Sequence, residues 1–91
     1  MKDAAATYSV YIVRCADGSL YCGIALDVGA RVAQHNGGKL GARYTKSRRP
    51  VQLVYEEMSG SRSEAQRREC QIKRMPRSDK QRLIALAGAA R

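Results

Sequence analysis

The 91-residue sequence predicts a small α/β domain of the α+β type, with strands and helices following one another along the chain. Two stretches rich in β-branched and aromatic residues flank a short loop that ends in glycine, which is the pattern of a β-hairpin. Aspartate or serine precedes each of the later stretches with helical signals, as expected of helix N-caps. A chain of this length can bury one modest core, so we expect a single domain.

The predicted hairpin joins a strand at residues 8–15 to a second at residues 19–25 through a three-residue loop. A loop of this length that closes with a left-handed glycine pairs Tyr11 with Gly23. Because side chains alternate across a strand, this register puts Tyr11 and Tyr21 on one face and an apolar set on the other. A two-residue turn would shift the pairing by one and separate the tyrosines, so we predict the three-residue loop.

The rest of the chain predicts three helices, one long loop and one strand. In chain order they are a helix capped by Asp27 that ends at about 34–36, an irregular loop over 39–50, a strand over 51–56, a helix capped by Ser61 or Ser63 that runs to Met75, and a last helix capped by Ser78 that runs to Leu86.

The basic character of the chain indicates a polyanionic partner. Lysine and arginine total 17 against 8 acidic residues, which gives a formal net charge of +9. Each basic group near a phosphate releases a counterion, so this excess favours nucleic acid. A merely soluble basic surface is the alternative that charge alone leaves open.

Cysteine usage and hydropathy predict a cytoplasmic protein without a membrane segment. Three cysteines, an odd number without metal-type spacing, are typical of reduced thiols rather than of a disulfide framework. No apolar stretch approaches the length of a membrane span, and the N-terminus lacks the apolar core of a signal peptide.

Glu69 is a carboxylate in an apolar position. It shares one face of its predicted helix with Ala65 and Ile72. An unpaired carboxylate turned toward a core is costly, so Glu69 needs a partner. The partner is either a cation of the protein, such as Arg68 or Lys73, or a divalent metal ion that keeps most of its waters and takes phosphate oxygens from a substrate.

Arg31 and His35 lie one helical turn apart and point the same way. A partly buried histidine at a helix end is the simpler interpretation, although His35 is the only histidine in the chain. Strand tyrosines are usually packing residues, and a phenol with a pKa of about 10 is a poor base at neutral pH. Beside Arg31, His35 and a metal-held phosphate, we expect the pKa of Tyr11 to fall enough for the phenol to help deprotonate water.

The predicted loop over 39–50 surrounds a tyrosine with basic residues and holds no acidic residue. Such a run is often only solvated, but this composition also suits tracking of a nucleic-acid backbone with stacking on the aromatic ring. Together with Lys73 on the following helix, the candidate nucleic-acid contacts are Lys39, Arg43, Tyr44, Lys46, Arg48 and Arg49.

Four short motifs follow one another along the chain. They are Ser9-Val10-Tyr11, Tyr21-Cys22-Gly23, Arg31-x-x-x-His35, and the segment 63–73 that contains Glu69. In this order they resemble the GIY-YIG nucleases, and the stretches 15–21 and 41–45 look like the small stand-alone bacterial YhbQ-type branch. The resemblance covers about residues 8–80 and implies one GIY-YIG-like domain over residues 1–91.

The resemblance implies a three-stranded antiparallel sheet flanked by helices, and hydrolysis of DNA phosphodiester bonds with Mg²⁺ or Mn²⁺ as the cofactor. By that resemblance the expected roles are Tyr11 as general base or its relay, Tyr21 as the group that positions phosphate or water, Gly23 as the space opposite Tyr11, Arg31 as the stabiliser of phosphoryl charge, His35 as a proton relay, and Glu69 as the metal ligand.

Two further functions stay open. The first is a non-catalytic or weakly active nucleic-acid-binding module, since the family often has an asparagine after the glutamate helix and none follows Asn36 here. Ser9 and Cys22 also depart from the family triads, but they are neighbours of the key positions and such changes are tolerable. The second is a subunit that depends on a protein partner for substrate choice. Low sequence specificity is expected in each case, toward DNA that is single-stranded or branched, with RNA also open.

Overall fold

The computed structural model describes residues 6–37 and 41–89. Within them the elements are β1 (Tyr8–Arg14), β2 (Leu20–Ala25), α1 (Val28–Asn36), α2 (Arg43–Lys46), β3 (Gln52–Gly60), α3 (Arg62–Lys73) and α4 (Arg77–Ala89). The strands form one antiparallel sheet in the order β2-β1-β3. The predicted α+β class, with a three-stranded antiparallel sheet flanked by helices, is confirmed.

The hairpin has the predicted register. Tyr11 pairs with Gly23, and Val13 pairs with Tyr21. The turn is closed by the Cys15 N–H, which donates to the Ser19 carbonyl at 2.8 Å, and Gly18 has φ of +85°. Because a positive φ strains a residue with a Cβ, glycine is favoured at this turn position. The three-residue loop therefore places both tyrosines on one face of the sheet, as predicted.

The central strand β1 is covered on both faces. Val10 and Ile12 point toward α3 and pack with its buried residues Ala65 and Ile72. The alternate residues of β1 pack on the other side with Val28 of α1. The sheet is therefore the middle layer, with α3 and α4 on one face and α1 on the other.

The helix boundaries follow local capping. Asp27 caps α1 by accepting a hydrogen bond from the Ala30 N–H at 3.0 Å. Ser61 and Glu64 form the capping box of α3, with each side chain bonded to the other residue's backbone N–H. The last helix begins at Arg77 rather than after a Ser78 cap, because the Pro76 carbonyl already accepts from the Asp79 and Lys80 N–H groups.

Other elements also differ from the sequence prediction. Helix α3 ends at Lys73 instead of Met75, and α4 continues to Ala89 instead of Leu86. The region 39–50 was expected to be irregular, but it contains the short helix α2. Strand β3 continues to Gly60 instead of ending at Glu56, because β1 offers it backbone partners as far as Tyr8. Within residues 6–37 and 41–89, no helix combines the length and the apolar character that crossing a bilayer requires.

Candidate active site

The centre of the candidate site is a buried hydrogen bond between Tyr11 and His35. The Tyr11 hydroxyl lies 2.7 Å from His35 Nε2, and the two side chains are 1% and 0% exposed. β1 brings the tyrosine from the sheet, and the last turn of α1 brings the histidine onto the same face. A phenol and an imidazole in direct contact form a path along which a proton can move.

Gly23 makes room for this phenol. A Cβ built at Gly23 would lie 2.6 Å from the Tyr11 hydroxyl oxygen and 2.8 Å from its ring carbon Cζ. Both distances are far inside van der Waals contact, so any larger residue at position 23 would displace Tyr11. The register of the hairpin thus explains why a glycine stands opposite the tyrosine.

Burial shifts the pKa of both partners toward their neutral forms. The pKa of Tyr11 is raised to about 12, mainly because burial desolvates the phenol and in part because the Tyr21 phenol lies nearby. The Arg31 guanidinium lowers the pKa of Tyr11 through hydrogen bonding and through charge, and each of these effects is smaller than that of burial. Arg31 and His35 therefore do not by themselves lower the pKa of Tyr11. The fall predicted from the sequence also includes the effect of a metal-held phosphate.

His35 is held neutral. Burial lowers the pKa of His35, and the positive charges of Arg31 and Arg49 lower it further. The imidazole therefore carries a free lone pair at neutral pH and can accept a proton. Arg31 itself lies on α1, where its Nη1 donates to the Gln34 side-chain oxygen at 2.8 Å.

Thr45 completes the buried polar cluster, and sequence analysis did not single it out. Its hydroxyl oxygen lies 2.8 Å from His35 Nδ1, and the side chain is 0% exposed. The residue stands on α2, in the region expected to be an irregular loop. A lone threonine in such a stretch carries no periodic signal, so only the packing of α2 against α1 reveals it.

Two further tyrosine rings, Tyr21 and Tyr44, pack one after the other from the buried pair toward the surface. The Tyr21 ring contacts His35 edge-on with centroids 5.3 Å apart, and it stacks on Tyr44 at 5.8 Å. The Arg48 guanidinium carbon lies 4.0 Å from the Tyr44 ring centroid. A nucleobase that stacked on Tyr44, as the sequence led us to expect, would compete with these two partners for the ring.

The other candidate nucleic-acid contacts fall into two groups. Arg48 bonds to the Asp17 carboxylate at 3.0 Å, and Arg49 Nε donates to the His35 carbonyl, so both arginines hold loops in place. Arg43 and Lys46 are exposed on α2. Lys39 lies outside the described residues, and the contact role of the whole set stays a prediction.

Glu69 stands on the other layer of the fold. Its helix α3 packs against the apolar face of the sheet, so Glu69 is not part of the tyrosine cluster. Its carboxylate is 22% exposed and lies 3.5 Å from the Lys73 ammonium, which is one of the two partner types left open by the sequence. Helix α3 packs against β2. The pKa of the Cys22 thiol on β2 is raised to about 11, mainly by burial and in part by the negative charge of Glu69.

The side chains around Glu69 fit a cation that takes only one or a few of its ligands from the protein. In the parts of the chain that the structure describes, no group of three or more histidine, cysteine or acidic side chains could surround a metal ion. A single carboxylate with one long ion pair retains oxygen lone pairs for a hard cation that draws its other ligands from water and phosphate.

A pocket of about 150 Å³ lies beside β2, between the tyrosine cluster and α3. Ile12, Leu20 and Cys22 form its apolar lining. Its polar lining comes from the two layers of the fold and consists of Tyr21, Tyr44, Lys73 and Lys80. The edge strand β2 is therefore where the groups of both faces approach one another.

Comparison with known proteins places this geometry in a family. The model of the GIY-YIG catalytic domain matches residues 7–82. UPF0213 proteins of Staphylococcus aureus strains Mu3 and Mu50 are each 59% identical over 78 residues, which is 86% of this chain and 94% of the relative. The solution NMR structure of a UPF0213 protein from Bacillus halodurans is 41% identical, with a TM-score of 0.56 over 88% of this chain and 84% of that one. The chain belongs to the GIY-YIG family.

Proposed function

We propose that this protein is a divalent-metal-dependent nuclease that hydrolyses DNA phosphodiester bonds with low sequence specificity. Its substrates are branched or otherwise distorted DNA, as in repair. Membership of the GIY-YIG catalytic domain family supports a nuclease-type function in general. The observation that carries the proposal is the 2.7 Å contact between the Tyr11 hydroxyl and His35 Nε2, beside Arg31.

The proposed reaction moves a proton from water into the buried pair. The attacking water gives its proton to the Tyr11 oxygen while Tyr11 passes its own hydrogen to His35 Nε2. The resulting hydroxide forms the new P–O bond, the P–O bond to the leaving sugar oxygen breaks, and that oxygen is protonated from solvent. The neutral state of His35 supports this direction of transfer, since its lone pair is free at neutral pH.

Arg31 is the proposed stabiliser of negative charge on the transferring phosphoryl group, a role that guanidinium groups perform by forked hydrogen bonding. Tyr21 is proposed to position the phosphate or the water, since it lines the pocket beside β2 and contacts His35. Gly23 is proposed to matter only through the space that it leaves for Tyr11.

Glu69 is the proposed ligand of Mg²⁺ or Mn²⁺. When bound, the ion would neutralise negative charge that develops on the phosphate. The packing of α3 against β2 supports this role, because the pocket beside β2 is lined by Tyr21 and by Lys73, the ion-pair partner of Glu69. Arg43, Lys46, Lys73 and Lys39 are the proposed backbone contacts, and a protein partner for substrate choice is part of the same proposal.

A non-catalytic or weakly active DNA-binding module is the second candidate. The burial of Tyr11 and its raised pKa of about 12 favour this alternative, because a general base must reach water and lose its proton. A binding module, however, needs neither a carboxylate on the core side of α3 nor a phenol bonded to an imidazole. Activity measurements separate the two candidates.

The deciding experiment is a cleavage assay on labelled single-stranded, duplex, nicked and branched DNA with Mg²⁺ or Mn²⁺. We expect Glu69→Gln to reduce cleavage by about 100-fold or more. Asp79→Asn is the matched control, since it removes an exposed carboxylate of α4 and should leave cleavage within about twofold of the wild type.

Two outcomes would contradict the proposal. Equal cleavage by the wild type and Glu69→Gln would remove the metal role of Glu69. A second variant, Glu56→Gln, tests the carboxylate that pairs with Tyr11 across the sheet. If that variant alone lost activity, the metal ligand would lie on the tyrosine face instead of on α3.

A further inference from the structure

The buried cluster contains one polar side chain that the proposed reaction does not use. Thr45 lies on α2 with its side chain 0% exposed, and it makes two polar contacts. Its hydroxyl oxygen is 2.8 Å from His35 Nδ1 and 2.9 Å from the Ala42 carbonyl oxygen. Buried hydroxyl groups in proteins are hydrogen-bonded, so the direction of these two bonds can be argued from the atoms involved.

A hydroxyl group has one hydrogen to donate. The Ala42 carbonyl oxygen can only accept, so the bond at 2.9 Å uses the Thr45 hydrogen. The Thr45 oxygen must then accept from His35, which puts the imidazole hydrogen on Nδ1. In a neutral ring that leaves the lone pair on Nε2, where the Tyr11 hydroxyl donates at 2.7 Å.

We propose that Thr45 is a positioning residue that holds His35 in the tautomer with its hydrogen on Nδ1, so that Nε2 faces the Tyr11 hydroxyl as a hydrogen-bond acceptor. The effect of Thr45 on cleavage rests on the proposed nuclease function. The tautomer of His35 does not depend on that function. The chain of donors then runs in one direction, from Tyr11 through His35 and Thr45 to the Ala42 carbonyl.

The opposite arrangement is the competing one. In it Thr45 would donate to Nδ1, and Nε2–H would donate to the Tyr11 oxygen. The Ala42 carbonyl would keep the Thr45 and Lys46 backbone N–H groups, each at 3.1 Å. In this arrangement Nδ1 could also accept a hydrogen bond from the Ala42 N–H. The distance of 3.5 Å between the two nitrogens is at the limit of a hydrogen bond, so this contact adds little support. The competing arrangement would stop Tyr11 from passing a proton to His35.

The single histidine makes the tautomer directly measurable. In a ¹⁵N-labelled protein, long-range ¹H–¹⁵N correlation spectra report which ring nitrogen of His35 carries the hydrogen. At neutral pH, without DNA or metal, we expect the wild type to show Nδ1 protonated and Nε2 unprotonated. A wild-type spectrum with the hydrogen on Nε2 would overturn the proposal, whatever the activity of the protein.

Substitutions of Thr45 separate its hydroxyl from its shape. Thr45→Val keeps the volume but removes the acceptor, so we expect the His35 spectrum to shift toward the Nε2–H form. Thr45→Ser keeps the hydroxyl and should retain the wild-type spectrum. An unchanged tautomer in Thr45→Val would show that other contacts set it and would contradict the proposal. If the valine variant fails to fold, the wild-type and serine spectra still decide.

Cleavage kinetics give the second measurement. We expect Thr45→Val to lower kcat by about 10-fold or more with little change in KM, in line with the loss seen when a partner that orients a functional histidine is removed. Thr45→Ser should restore most of kcat. A wild type without nuclease activity would reject the proposed function but leave the tautomer result standing, so the two failures are distinguishable.

Discussion

One face of the sheet packs against α3 and α4 with apolar side chains, whereas the other packs against α1 and α2 with a tyrosine, a histidine and a threonine among its buried residues. Burial is equally deep on the two faces, since Ile12 and Tyr11 are each 1% exposed. On the α3 face most buried groups are apolar and need only fit together, and the Tyr55 hydroxyl is bonded to Glu57. On the α1 face each buried polar atom also needs a partner, and Tyr11, His35 and Thr45 supply one another.

The comparison shows that the same degree of burial has different consequences on the two faces of the sheet. Removing apolar area from water stabilises the α3 face. On the α1 face, desolvation instead raises the pKa of Tyr11 and lowers that of His35, so it sets which group holds the proton. Truncation of the buried apolar side chains on the α3 face should therefore alter stability, whereas loss of the buried polar groups on the α1 face should alter chemistry, as should loss of the partly exposed Glu69 on α3.

The largest expected effect is that of Tyr11→Phe. Removing the hydroxyl takes away the proton path, so we expect cleavage to fall by about 100- to 10,000-fold with the fold retained. Tyr55→Phe is the matched control on the other face, where the hydroxyl donates to Glu57 and lies beside Arg68. The comparison is measured as single-turnover cleavage, and equal losses in the two variants would show that the faces are not functionally distinct.

Ile72→Ala tests the apolar face. Its side chain is 0% exposed, so truncation should lower the free energy of unfolding by about 2–5 kcal/mol. We expect the folded fraction of this variant to cleave DNA at the wild-type rate. Urea unfolding and activity per folded molecule provide the measurement. A loss of specific activity as large as that of Tyr11→Phe would contradict the separation of the faces.

The pH dependence of stability tests the buried imidazole. In the unfolded chain His35 binds a proton below about pH 6.5, whereas in the folded protein its lowered pKa delays protonation. The unfolded state then holds more protons, so the free energy of unfolding falls as the pH drops below about 6.5. The slope is at most about 1.4 kcal/mol per pH unit and ends once the pH falls through the folded pKa.

Urea unfolding between about pH 5 and about pH 7.5 measures this slope, because this window lies above the ordinary carboxylate range. His35→Gln should lack the slope. The carboxylates with lowered pKa values, such as Glu57 and Glu64, should contribute only at lower pH. A wild-type protein whose stability stays constant across this window would show that His35 titrates equally in both states.

The smallest expected effect concerns DNA binding by the exposed arginines. Arg43 lies on α2 beside the α1 face, and Arg67 lies on α3. If DNA follows the α1 face, Arg43→Gln should reduce the slope of log Kd against log salt by about 1, while Arg67→Gln leaves it unchanged. The slopes are measured by fluorescence anisotropy, and equal reductions would mean that both faces contact DNA.

Local rules determined much of this protein in advance. Strand alternation and a glycine-closed loop placed Tyr11 opposite Gly23 and on the same face as Tyr21, and the Asp27 and Ser61 caps placed the starts of two helices. These predictions succeed because turns, pleats and caps depend on neighbours a few residues away. The motifs also identified the family, because their order along the chain is itself a property of the sequence.

Only the tertiary structure decided the state of the candidate site. In the protein by itself the pKa of Tyr11 is raised, because the desolvation of the buried phenol has a larger effect on it than the hydrogen bond or the charge of Arg31. The contact between Thr45 and His35, and the place of Glu69 on the opposite layer, likewise follow from how the helices pack. Desolvation and long-range contacts depend on what covers a residue, and no pattern of nearest neighbours in the chain encodes that.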